Sequence, residues 1–195
     1  MPPMVHRRGE DALNPAEALK REQERKVAEI SIIVALLGAG GEGLNERREI
    51  AAKLGERGIT ALIPEDDLSE DAAASLAERD MLSQDDLDLA FINVQSWGSA
   101  AEFAEFQADI SIAPKLRILV ERRYHPLYGA SSGSGYLTDS YLTHDAVFGH
   151  VYLHRQPLRE DGKEDQDSPA WIPATDEIIL KIAERFRQWK AFRSK

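Results

Sequence analysis

Apolar residues along the chain fall into short unbroken runs, separated by longer stretches with helical spacing. Residues 31–37 form an aliphatic run rich in β-branched side chains, and residues 59–63, 87–94 and 115–120 repeat the pattern. Strands buried on both faces read this way, because helices on either side of a parallel sheet leave it no polar face. Between the first two runs, Leu44, Ile50, Ala51 and Leu54 share one face of a helix expected over 45–56, ended by Gly58. Pro64 stops the second strand, and residues 64–67 read as a loop. Ser69 is the expected cap of a helix over 70–82 that carries Ala73, Leu76, Ala77 and Met81 inward, and a further helix is expected over 101–110. Strand and helix thus alternate over 31–120. Right-handed crossovers turn that alternation into an α/β domain with helices on both faces of a parallel sheet.

The pattern weakens after Glu121. Residues 122–144 are rich in Gly, Ser, Tyr and Thr, so a lid-like loop is expected at about 121–146, followed by a fifth strand over 146–153. The expected fold is therefore a single doubly wound, five-stranded parallel sheet, flavodoxin- or Rossmann-like in order, over residues 30–195. A polar connection over 155–168 leads to a last helix capped by Thr175, with Ile178, Ile179, Ile182, Phe186 and Trp189 on one stripe. At the other end, residues 1–29 read as a tail over 1–11 and a helical arm. Asn14 caps that arm, Pro15 occupies its first position, and it runs to about Ala28 with few apolar residues. Such an arm lies on the surface or packs on a partner chain.

Composition narrows the function. A chain of 195 residues, 43% hydrophobic and 30% charged, has room for one well-buried domain. Its net charge of −10 disfavours duplex nucleic acid and anionic lipid. No residue is cysteine, which removes disulfide and thiolate chemistry and fits a cytoplasmic location. The longest apolar stretch, 30–37, is too short for a membrane span. Homo-oligomer formation through the terminal helices is compatible with their amphipathic patterns.

Two strand-to-helix turns carry the candidate chemistry. Gly38, Ala39, Gly40 and Gly41 follow the first strand, in a Gly-x-Gly-x-x-Gly spacing completed by Gly43, and Glu65 lies just past the second strand. This is the form of a dinucleotide fingerprint, which gives an NAD(P)-dependent reductase as one reading. More broadly, it offers backbone N–H groups to a phosphate or ribose. Arg47 and Arg48, a turn further on, are either counter-charges or solvated residues of the outer helix face. The second turn, Ser96, Trp97, Gly98, Ser99 and then Glu102, follows the third strand. Ser99 and Glu102 have the spacing of a capping box and equally that of a site at the sheet's carboxyl edge. Glu102 at a helix N-terminus would be held ionised by the helix dipole. Trp97 suits stacking on a base or packing on the lid, and Asp66 with Asp67 suits ribose hydroxyls or solvent. His125, His144, His150 and His154 lack the convergent spacing of a metal site. His125 and His144, with Tyr124, Tyr128, Tyr136 and Tyr141, are expected as contacts of the lid.

The glycine turn after the first strand, paired with Gly98-Ser99-x-x-Glu102 after the third, resembles the nucleoside deoxyribosyltransferase-like group. It is also similar to the lysine-decarboxylase-like and SLOG nucleotide-binding folds, whose motif is Gly-Thr-x-x-Glu, and Ser96-Trp97 before a helical glutamate is loosely similar to TIR domains. The resemblance covers about 31–120 and implies an N-glycosidase, a hydrolase or transferase acting on the base–sugar bond of nucleosides, nucleotides or NAD. Glu102 would be its catalytic residue, and Gly38, Ala39, Gly40, Gly41, Asp66, Ser96, Trp97, Gly98 and Ser99 would bind substrate. No cofactor or metal is required under this reading; NAD or a nucleotide would be substrate or ligand. Deoxyribosyltransferases carry aspartate where this chain has Ser96, which favours hydrolysis or another sugar over deoxyribosyl transfer. A module that senses a nucleotide without turning it over is the alternative.

Overall fold

A computed structural model describes residues 14–69, 73–129, 135–155 and 171–193. The expected tail over 1–11, residues 70–72 of the helix expected from residue 70 and most of the polar connection over 155–168 lie outside them. The elements run α1 (Pro15–Ala28), β1 (Ile33–Gly38), α2 (Glu42–Gly55), β2 (Thr60–Leu62), α3 (Pro64–Asp67), α4 (Ala74–Ser83), β3 (Leu89–Asn93), α5 (Trp97–Phe106), β4 (Leu116–Val120), α6 (Tyr136–Phe148), β5 (Val151–Leu153) and α7 (Thr175–Arg193). All four strand pairings are parallel, in the order β2-β1-β3-β4-β5. This is the expected doubly wound, Rossmann-like sheet. Chain direction reverses its progress across the sheet at β1, so the loops leaving β1 and β3 part there and open a crevice.

Alternate residues of the strands feed two cores. Ala35, Leu37, Ala90, Ile92, Ile118 and Val120 pack with Met81, Leu82, Phe103, Phe106 and Tyr141 of α4, α5 and α6. Val34, Leu36, Leu89, Phe91 and Leu119 pack on the other face with Ile50 and Leu54 of α2 and Ile179, Leu180 and Ala183 of α7. Phe91 and Phe103, fully buried in opposite layers, each contribute about 2 kcal/mol. The arm α1 has no buried residue and lies against α7. Among the described residues, no helix is long and apolar enough to cross a membrane.

Several boundaries differ from the sequence pattern, each for a local reason. Helix α2 starts at Glu42, because Gly41 (φ 62°, ψ −121°) turns the chain directly before it. Residues 64–67 are a helical turn and not a loop: Pro64 fits the first helical position, and the Asp67 carboxylate accepts the Ile63 N–H at 2.7 Å. Helix α4 starts only at Ala74, with an exposed Ala73 and not Ser69 as its N-cap, and Leu76 points outward, 69% exposed. The largest correction falls on the expected lid. Residues 136–148 form α6, burying Ser140, Tyr141 and His144 and ending at Gly149 in the left-handed conformation (φ 70°). Residues 146–148 therefore belong to a helix, and β5 begins only at Val151. Tyr141 is in the core, its ring centroid 5.0 Å from that of Phe103, whereas Tyr124, Tyr128 and Tyr136 are exposed. His125 and His144 are buried too, so they are packing residues where lid contacts were expected.

Candidate functional site

The crevice at the carboxyl ends of β1 and β3 is built by two glycine turns. Gly38 ends β1 at φ 155°, and a Cβ there would sit 3.3 Å from the Asn93 carbonyl. Only glycine lets β1 run this close to β3 and still turn. Nothing lies within 4 Å of where a Cβ would stand on Gly40 or Gly41, so this loop fronts open space. Gly41 caps α2 without a side-chain hydrogen bond.

Beneath the loop lies Arg47, buried against expectation. Its Nη1 donates to the Leu36 carbonyl at 3.2 Å and its Nη2 to the Ala39 carbonyl at 3.0 Å. The same two nitrogens hold Glu65 in a bidentate pair at 2.7 and 2.5 Å. Burial pushes the Glu65 carboxyl up, but the Arg47 hydrogen bonds and charge outweigh it and the net shift is down. Arg47 thus ties the first turn to α3, and the carboxylate following the second strand is already partnered. Arg48 is exposed and pairs with Asp66, the solvated-face reading of that residue. Asp66 is thus engaged by Arg48 and is not among the residues that line the crevice.

The second turn starts α5 four residues earlier than the pattern indicated. Ser96 is its N-cap, and the capping box joins Ser96 to Ser99, where Ser99 to Glu102 was expected. The Ser96 hydroxyl accepts the Ser99 N–H at 3.2 Å, and the Ser99 hydroxyl accepts the N–H groups of Gln95 (3.1 Å) and Ser96 (3.0 Å). Trp97 and Gly98 occupy the first helical positions, and Trp97 projects into solvent, 91% exposed.

Glu102 consequently sits in the second turn of α5, beyond the reach of the helix N-terminal N–H groups. It is not held ionised by the dipole. Burial first, then the Glu65 charge, pushes its carboxyl up, with Arg47 opposing. Its Oε2 is buried with no hydrogen-bond partner among the described residues. Glu78 of α4 is pushed up to about 7 by burial, then by the charges of Glu102 and Glu65. Glu102 and Glu78, on the α4–α5 side, thus both carry carboxyls raised by burial and by negative neighbours, with Arg47 opposing in each case.

On the α2–α7 side the crevice is lined by Asn93, Gln95, Glu46 and Thr175 over a floor of Leu36, Phe91, Leu119 and Ile179. Burial pushes the Glu46 carboxyl up, against a hydrogen bond with Thr175. The Asn93 Oδ1 is buried without a partner among the described residues. Sequence reasoning missed Asn93, Gln95, Glu46, Glu78 and Thr175 as site residues. Asn93 alone left a signal, as the polar residue closing an otherwise apolar strand. Gly38, Ala39 and Gly43 meet Asn93 and Arg47 in the crevice wall, while Ser96 and Ser99 are engaged in starting α5.

No histidine among the described residues lines this crevice, and His154 reaches its wall only through Thr175. His154 is fully buried with its Nδ1 3.0 Å from the Thr175 hydroxyl, and burial pushes it down to about 4. Among the described residues, no group of three His, Asp or Glu side chains is arranged to hold a metal ion. In comparisons with known proteins, the chain matches no family model and no curated protein.

Proposed function

We propose that the chain binds a nucleoside-type ligand over the strand-end crevice and cleaves its N-glycosidic bond, by hydrolysis or transfer, with Glu102 as the catalytic carboxyl. The observation that supports this most is the Glu102 Oε2, desolvated and unpartnered among the described residues, with the raised carboxyl of Glu78 nearby. A buried polar atom left without a partner is costly, and a ligand that answers it recovers that cost. Breaking a bond between sugar and base develops oxocarbenium-like charge at the anomeric carbon, which an ionised carboxylate stabilises. The C–N electron pair leaves on the base nitrogen, which takes up a proton, while water or an acceptor forms the new bond to the anomeric carbon and gives up a proton. With its carboxyl pushed up to about 7, Glu78 holds a proton more readily than an ordinary glutamate, which limits the negative charge beside Glu102. Trp97, at the start of α5, is available to stack on the base.

A second reading, a sensing module that binds a nucleotide without turning it over, draws on α7. That helix begins in the crevice wall at Thr175 and carries the arm α1 along its side, so occupancy of the crevice can reach α1.

The test incubates the protein and its Glu102→Gln variant with NAD, nucleoside monophosphates, nucleosides and deoxynucleosides, and separates released base by chromatography. Release by the wild type alone supports the glycosidase. Equal release by both proteins removes the role of Glu102. Binding without release by either protein supports the sensing module.

A further inference from the structure

The crevice wall carries an acceptor that nothing in the fold uses. Asn93 is the last residue of β3, 8% exposed, and its side chain faces the α2–α7 side of the sheet, as Phe91 and Leu89 do. A strand buried on both faces elsewhere carries only apolar residues here, so an amide at this position is out of keeping with core packing. Its Oδ1 is buried with no hydrogen-bond partner among the described residues. Gln95 and Glu46 stand in the same wall, and both present oxygen acceptors. The floor beneath them is apolar.

From this wall we infer that, if the nucleoside reading above holds, the ligand's sugar is a ribose whose 2′- and 3′-hydroxyls meet the Asn93 amide, and not a 2′-deoxyribose. Three properties of the wall select this group. A hydroxyl is donor and acceptor at once, so it matches the amide at either end. Two adjacent hydroxyls answer a wall with more than one acceptor, whereas 2-deoxyribose offers only the 3′-hydroxyl to the same groups. The furanose ring that carries the hydroxyls presents C–H surface, which suits the mainly apolar lining of the crevice. An anionic group is disfavoured here, because Glu46 stands in the wall and both terminal nitrogens of Arg47 are engaged by Glu65 and main-chain carbonyls. Sites built to hydrogen-bond a hydroxyl reject analogues that lack it far more strongly than sites built on shape.

The test measures binding and not turnover. Calorimetry on the Glu102→Gln protein titrates adenosine against 2′-deoxyadenosine and cytidine against 2′-deoxycytidine, with the arabinosides, whose 2′-hydroxyl is inverted, as a third arm. Tighter binding of the ribonucleoside by about tenfold or more, with the arabinoside grouped with the deoxynucleoside, supports the inference. Asn93→Leu then reduces the difference to less than threefold, and circular dichroism checks that the variant is folded. The three-sugar comparison needs no Asn93 variant, so the result stands even if that variant does not fold. Equal binding of the sugars, preference for the deoxynucleoside, or no binding of any of them overturns the inference. Base release by the wild type in chromatography is read separately. Equal binding with release overturns the ribose inference and leaves the glycosidase reading, and ribose preference without release does the reverse.

Discussion

The Arg47 guanidinium clamps the Glu65 carboxylate with two hydrogen bonds while two further donations hold the Leu36 and Ala39 carbonyls. One side chain thereby fixes β1, the glycine turn and α3 relative to one another. Glu65 keeps 40% of its side-chain surface in water, so it can rehydrate when the pair is broken. Arg47→Met should therefore cost about 2 to 3 kcal/mol, below the full cost of breaking a wholly buried pair. Arg47→Lys should recover little of it, since an ammonium cannot reproduce the planar fork. Urea unfolding of the three proteins measures both.

Glu78 makes stability depend on pH in a direction opposite to that of an ordinary surface carboxylate. Its folded value, about 7, lies above the ordinary 4.5. The folded protein therefore holds a proton that the unfolded chain releases. Stability from this group is full below about 4.5 and is lost as pH rises through about 7. Glu78→Gln should match the wild type at pH 4.5 and exceed it by roughly 1 to 2 kcal/mol at pH 8, after allowance for solvent screening. Thermal melts at the two pH values decide it.

Three histidines desolvated to different degrees pull the other way. His154 and His150 are both pushed down to about 4, the first by burial alone and the second by burial, then the charges of Arg117 and His144. His144 is also lowered, chiefly by burial. Each contributes stability that is present above about 6.5 and lost as pH falls through the folded value. The melting temperature of the wild type should fall between pH 6.5 and 4, and His150→Gln should flatten that limb. A variant with an unchanged acid limb would show that His150 is not a source of it.

Neighbouring glycines should respond unequally to the same substitution. Gly38→Ala meets both φ 155° and the Asn93 carbonyl at 3.3 Å, and should cost about 1 to 3 kcal/mol. Gly40→Ala meets nothing within 4 Å and should stay within about 0.5 kcal/mol of the wild type. Equal losses from urea titrations would mean that the turn is held by something other than the β1–β3 approach.

Trp97 separates folding from binding. With 91% of its surface in water, Trp97→Ala should leave the melting temperature unchanged. If the ring stacks on a base as proposed, the same variant weakens nucleoside binding by about 1 to 3 kcal/mol in calorimetry. Unchanged affinity would remove Trp97 from the ligand site.

The sheet was legible in the sequence because its strands are covered on both faces, so β1, β3 and β4 are written as mainly apolar runs, interrupted only by Asn93 at the end of β3 and Arg117 within β4. Helix α6 was hidden for the opposite reason. Thr138, Asp139, Ser140, Thr143 and Asp145 surround Tyr141 and His144, and two of its three buried residues are polar, so no apolar stripe marks it. Glycine turns and strand ends located the crevice by position alone. Side-chain state was another matter. Arg47 is buried because Glu65, eighteen residues on, returns over it, and no local pattern announces that pairing. The start of α5 turned on which serine is the cap. With Ser96 in that place, Glu102 leaves the dipole's field, and its surroundings raise its carboxyl where the local motif implied stabilised charge.

The outermost strands, β2 and β5, are three residues each, shorter than the five- and six-residue strands they flank. Beyond β5, Arg155 continues into an isolated parallel bridge with Ala174, its N–H donating to the Pro173 carbonyl. An incoming strand would find a rung or two of unpaired backbone before the ladder ended, too few to hold it. Short margins of this kind keep a sheet with a strongly apolar interior from templating growth at its sides, and they leave self-association, where it occurs, to the helices.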